Sequence, residues 1–71
     1  MKDELTTEQL REMAYQEVLA LFENDQAAAG KWMTSAARGL GNHPPISLMG
    51  TTGGIEKVRR LVGQLEHGVV P

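Results

Sequence analysis

Cysteine is absent from the 71 residues. That excludes disulfide staples and thiolate metal sites, and it is compatible with a reducing compartment. Aromatic residues are scarce, with one each of Trp, Tyr and Phe, so few large side chains are available to anchor a core. A basic excess is lacking too: seven Lys and Arg stand against nine Asp and Glu, for a net charge of -2. A nucleic-acid binder normally carries surplus positive charge, and this composition argues against DNA or RNA as the main partner. Long apolar runs are missing, which excludes a membrane-spanning helix. The opening Met1-Lys2-Asp3-Glu4 is too acidic for a signal peptide, and the expected location is the cytoplasm. No stretch alternates apolar and polar residues between turn signals, so strands are not expected. A chain of this length forms a single domain, here residues 1–71, that buries only roughly 60% of its unfolded surface.

What is present reads as helix. Thr6 and Gln9 have the spacing of a capping box, and Leu5 and Leu10 then fall at the two positions of a hydrophobic staple. Leu10, Met13, Ala14, Val18, Leu21 and Phe22 follow the rhythm of one helical face. The pattern predicts a helix from about Thr7 to Glu23. Asn24 or Asp25 can cap a second helix, from about Gln26 to Ser35, with Ala29, Trp32, Met33 and Ala36 on its apolar face. Gly30 inside it costs on the order of 1 kcal/mol relative to alanine. Trp32 is read as a core anchor, with a partner hot spot as the second possibility. The stretch from Ala37 to Pro45 is a loop, because Gly39 and Gly41 permit left-handed backbone and Pro44-Pro45 stops an arriving helix. Leu40 is its plug into the core. Pro45 suits the first turn of a very short helix, Ile46 to Met49. Thr51 or Thr52 caps the last helix, whose stripe is Ile55, Val58, Leu61, Val62 and Leu65. Glu56 and Arg60 have the spacing of an exposed ion pair. Gly68 is a natural residue just past the helix end, with Val69 positioned for the accompanying hydrophobic contact. The expected fold is an all-α bundle of about four helices, one very short, with a Gly/Pro loop before the third.

Catalytic patterns do not emerge. His43 and His67 are the only histidines, and no paired-ligand spacing joins them. Ser35 and Ser47 lack the context of an activated nucleophile. Gly39-Leu40-Gly41 and Gly53-Gly54 match neither phosphate-loop pattern and read as turn and helix-start glycines. Lys57, Arg59 and Arg60 form a small basic cluster that a solvated helix face explains. The expectation is a helical binding module with no enzymatic activity, no cofactor and no metal.

The order of special residues adds a resemblance. Leu21-Phe22-Glu23-Asn24-Asp25 is followed by Ala28, Trp32-Met33 and Leu40-Gly41-Asn42-His43-Pro44-Pro45. Thr51-Thr52-Gly53-Gly54, Val58 and Leu65-Glu66-His67-Gly68-Val69 complete the series. This resembles the toxin-binding domain of the Xre/MbcA/ParS antitoxins over about Val18 to Val69. Those domains run from a Val/Leu-Phe-Gly-Asp turn through an Ala and a Trp-Leu pair to a Leu-Gly-Gly-x-x-Pro loop. A Thr-x-x-Gly helix start and a Gly-Val/Ile tail follow. Glu23 stands where the family prefers glycine, and Met33 where it prefers leucine.

The resemblance implies a non-catalytic protein of a bacterial type II toxin–antitoxin system. Its partner would be a RES-domain toxin that consumes NAD or transfers ADP-ribose from it. The family's C-terminal segment lies at the toxin's NAD pocket, and the matching positions here are His67, Gly68, Val69 and Val70, with Pro71 beyond. Arg38, Gly41 and His43 on the loop complete the candidate partner-binding set. Members usually carry an upstream helix-turn-helix domain, for which residues 1–71 leave no room. This chain is then either a short member or a domain of a longer protein. The alternative is a small self-associating helical protein, a homodimer with no toxin. A nucleic-acid reading, with Thr51 to Glu66 as recognition helix, fits the charge poorly.

Overall fold

Thr6 begins the ordered description of the chain: its side chain accepts from the Gln9 backbone N–H at 3.1 Å, while its own N–H donates to Gln9 Oε1 at 2.8 Å. This reciprocal box starts α1, Thr7–Leu21. The computed structural model describes residues 6–68. Leu5, and with it the expected staple, lies outside them, as do Val69, Val70 and Pro71.

Helix α1 stops two residues before the sequence pattern predicts. Phe22 is the cap, and Glu23 and Asn24 turn left-handed at φ 56° and 65°. The Glu23 N–H donates to the Ala20 carbonyl at 3.1 Å and the Asn24 N–H to the Leu19 carbonyl at 2.7 Å. These are the two bonds of a Schellman end, made with glutamate where glycine is the usual residue. Asp25, not Asn24, caps α2 by accepting from the Ala28 N–H at 3.1 Å. Helix α2, Gln26–Met33, is also shorter than expected. The Thr34 and Ser35 hydroxyls donate to the Gly30 and Lys31 carbonyls, which competes with continuation of the helix. Ala36 is consequently beyond the helix and exposed.

Two single-turn 3-10 segments follow, Arg38–Leu40 and Pro45–Leu48. The all-α class holds, the very short helix expected third in the chain is this second turn, and the Gly/Pro loop contains the first. Pro45 occupies the first position of its turn, where a missing N–H is harmless. Thr51 then caps α3, Thr52–Glu66, accepting from the Gly54 N–H at 3.0 Å.

The core gathers around α1 and α3, which pack against each other more extensively than any other pair of elements. Ile55, Val58, Leu61 and Val62 of α3 are buried together with Leu10, Ala14, Val18 and Leu19 of α1. Ala29 and Met33 of α2, Leu40 of the loop and Met49 close the cluster. Helix α1 departs from its expected stripe at two places: Leu19 is buried, and Met13 is 38% exposed. Leu65 is half-buried. Trp32 is not a fully buried anchor. It lies half-buried on the edge of the core, tilted against Phe22 with ring centroids 6.2 Å apart. Three polar links add to the apolar contact. Arg11 Nε donates to the Met49 carbonyl at 2.9 Å, the Thr7 and Thr52 hydroxyls are 3.1 Å apart, and Arg59 joins Glu17. No helix among the described residues is long and apolar enough to cross a membrane.

The tightest approach is at the start of α3. A Cβ added to Gly54 would overlap the Leu48 carbonyl oxygen, a backbone atom that cannot rotate away. Gly54→Ala is expected to lower stability by about 3 kcal/mol, at the upper end of overpacking costs, as read from the thermal midpoint. Glu23→Gly should act in the opposite direction, because a left-handed side-chain residue costs roughly 1–2 kcal/mol that glycine avoids. A higher urea midpoint for Glu23→Gly is the expected result.

Candidate partner-binding site

The loop between α2 and the second 3-10 turn folds back on itself. The Ala37 N–H donates to the His43 carbonyl at 3.1 Å, and the Asn42 N–H donates to the Ala37 carbonyl at 2.9 Å. The reversal depends on two consecutive left-handed residues, Gly41 at φ 69° and Asn42 at φ 66°. Glycine and asparagine are the residues that adopt this conformation most readily. Closing the loop this way drives Leu40 inward to 7% exposure, while Arg38, Gly41 and His43 stay exposed.

A recess of about 550 Å³ opens between this loop and α3. Gly39, Leu40, Gly41 and His43 form one side, Lys57, Arg60, Leu61 and Gln64 of α3 the other, and Leu48 also contributes. Of the expected site residues, Gly41 and His43 therefore meet in one place. Arg38 is on the same loop but does not line the recess. His67 caps the end of α3, its N–H donating to the Gly63 carbonyl at 3.2 Å. Gly68 follows in left-handed conformation at φ 76°, its N–H donating to the Leu65 carbonyl at 3.1 Å. Both are exposed and lie outside the recess. Val69, Val70 and Pro71 lie outside the described residues.

Lys57, Arg60 and Gln64 are absent from the expected site. Their spacing along one side of α3 is the signal in the sequence, but only the folded loop shows which side it meets. The structure also divides the basic cluster. Lys57 and Arg60 line the recess, where no carboxylate joins them. Arg59 turns instead to α1 and forms a two-pronged contact with Glu17, Nε to Oε1 at 3.0 Å and Nη2 to Oε2 at 2.9 Å. Hydrogen bonding to Glu17 raises the Arg59 guanidinium above its ordinary range against opposing desolvation, and the Glu17 and Glu56 charges add to the rise. Both side chains are about one-third exposed, at 32% and 35%, so the pair contributes no more than about 1 kcal/mol. It is the one ion pair among the described residues, and the expected Glu56–Arg60 pair does not form. Arg60 lines the recess, and Glu56 contributes to the field around Arg59.

The recess has the composition of a contact surface. Its charged members are cations, its floor is Leu40 and Leu61, and no group of three or more His, Asp or Glu gathers among the described residues to hold a metal. The loop geometry can be tested by itself. Gly41→Ala is expected to cost about 1–2 kcal/mol because its φ is left-handed, whereas Asn42→Gly should be neutral or stabilising. Urea midpoints for the two variants check the contrast.

Comparison with known proteins matches the sequence to one family. Residues 18–68 match the family described as Antitoxin Xre/MbcA/ParS C-terminal toxin-binding domain. An Antitoxin Xre of Photorhabdus laumondii is 42% identical over 50 residues, covering 70% of this chain and 34% of that protein. An Antitoxin Xre of Yersinia enterocolitica is 45% identical over 49 residues, covering 69% of this chain and 33% of that protein. The chain thus spans about a third of the length of these curated relatives. No solved structure matches. The matched residues include the α1–α2 corner, the closed loop, the Thr51-to-Gly54 helix start and the Gly68 helix end, and the chain belongs to the Xre/MbcA/ParS C-terminal toxin-binding domain family.

Proposed function

We propose that this chain is the toxin-binding part of an antitoxin, a non-catalytic protein that neutralises a RES-domain toxin in the bacterial cytoplasm. Residues 1–71 act as one binding domain. The segment His67, Gly68, Val69, Val70 and Pro71 enters the toxin's NAD pocket, and Gly41 and His43 meet the rim beside it, with Arg38 at the edge of that contact. The observation that carries the reading is the family match over residues 18–68, which ends at the left-handed Gly68 where α3 releases the chain. A short segment launched from a rigid helix loses little freedom on entering a concave pocket. Such pockets are largely apolar, and Val69 and Val70 have the chemistry to fill one. Neutralisation then follows from competition, because a pocket filled by valine and proline side chains does not admit the dinucleotide.

The test uses a RES-domain toxin, sought first in the reading frames that adjoin this chain's gene. Purified toxin is assayed for NAD consumption with the intact chain and with a chain truncated after Gly68. The truncated form should keep its helicity and melting temperature and lose inhibition. Equal inhibition by both forms would remove the tail from the mechanism, and failure of the intact chain to bind or inhibit would overturn the antitoxin reading itself.

A further inference from the structure

Gly30 occupies the interior of α2, yet nothing in the fold asks for glycine there. A Cβ at this position would meet no atom within 4 Å, and the backbone is not left-handed. Glycine is the least favourable helix-interior residue short of proline. The space above it opens into a groove of about 600 Å³ between α1, α2 and the Pro45–Leu48 turn. The groove walls are apolar: Tyr15, Met33, Ile46 and Met49. Ile46 is 54% exposed and Tyr15 38%, two of the three exposed large hydrophobic residues among those described.

The rim carries charge of mainly one sign. Glu8 and Glu12 stand there with Arg11, whose Nε is tied back to the Met49 carbonyl at 2.9 Å. Neither carboxylate takes part in an ion pair among the described residues. A second copy seated face to face across a twofold axis would bring four glutamates and two arginines to one rim, and with each Arg11 Nε already held by a Met49 carbonyl, like-charge repulsion opposes it. An apolar segment flanked by lysine or arginine satisfies both the walls and the rim.

Contact area identifies the owner of that segment, given the function proposed above. A stable complex takes roughly 20–30 residues and about 800 Å² from each partner. The five residues His67–Pro71 and the nine that line the recess number fewer than this, so the toxin needs more of the surface. We propose that the α1–α2 groove is a second docking site for the toxin, receiving over Gly30 an apolar side chain from a basic-flanked segment. Glu8, Arg11, Glu12 and Tyr15 precede the matched residues 18–68. This half of the site therefore belongs to the individual chain, where it adds discrimination between cognate and non-cognate toxins.

The experiment titrates the same purified RES-domain toxin with the full chain by calorimetry, alongside Gly30→Leu and Ile46→Glu. Gly30→Leu fills the groove while improving helix propensity, so its melting temperature should be unchanged or higher and its affinity lower by about tenfold or more. Ile46→Glu, on an exposed wall, should lose affinity similarly with little change in melting. Intact binding by the wild-type chain and by both variants would overturn the groove proposal while leaving the antitoxin reading in place. Loss confined to a Gly30→Leu protein that also melts lower, with Ile46→Glu unaffected, would overturn it as well. No binding by the wild-type chain would remove the function on which it rests.

Discussion

Ile55, Val58 and Val62 of α3 and Ala14 and Val18 of α1 are all at most 2% exposed, and the seam they form is the reference against which every other part of the molecule is positioned. Burial of apolar area is the principal favourable term available to so small a chain. The polar links between the two helices are peripheral by comparison: Glu17–Arg59 is one-third exposed, and the Thr7–Thr52 contact is on the surface. They orient the helices more than they stabilise them. The small Ala14 and Ala29 are also fully buried, which allows α2 to close over the seam without a larger core.

The Pro45–Leu48 turn separates two concave surfaces on that core. Leu48 faces the recess with Gly41 and His43, while Ile46 and Met49 line the groove with Tyr15 and Met33. The turn itself is held by α3, because the Leu48 carbonyl lies against the bare Cα of Gly54, and by α1, because Arg11 grips the Met49 carbonyl. One backbone contact at a glycine therefore sets the spacing between the recess and the groove. This explains physically why a Thr-x-x-Gly start, here Thr51 to Gly54, recurs with the loop that precedes it: threonine supplies the cap and glycine the clearance.

Other motif positions have equally local reasons. The corner at Glu23 is left-handed, which is why the family prefers glycine there and why glutamate is tolerated at a cost rather than forbidden. The Gly41-Asn42 pair makes the reversal that turns Leu40 into the core and leaves His43 at the surface. A residue pattern that looks functional in the sequence is thus partly architectural. The glycines and caps shape the face that carries the recess and leave the side chains between them exposed.

Capping chemistry and periodicity made the helices legible from the sequence. Thr6 with Gln9, Asp25, Thr51 and the α3 stripe act through neighbours in the chain, so their effects need no knowledge of the fold. The order of turns and glycines likewise carried the family. What the sequence did not reveal depends on which surfaces meet. Leu19 is buried and Met13 is 38% exposed, because the covered stripe of α1 is set by the elements packed on it and not by spacing along the helix. Trp32 is only half-buried because α2 ends early and leaves its ring on the rim beside Phe22. Arg59 chose Glu17 across the α1–α3 seam, which left Lys57 and Arg60 to the recess. The recess and the groove exist only once the loop and the turn are laid on that seam. Local interactions decided the elements, and long-range packing decided their exposed faces, because a side chain's surroundings are set by the helix opposite and not by the residues beside it in the chain.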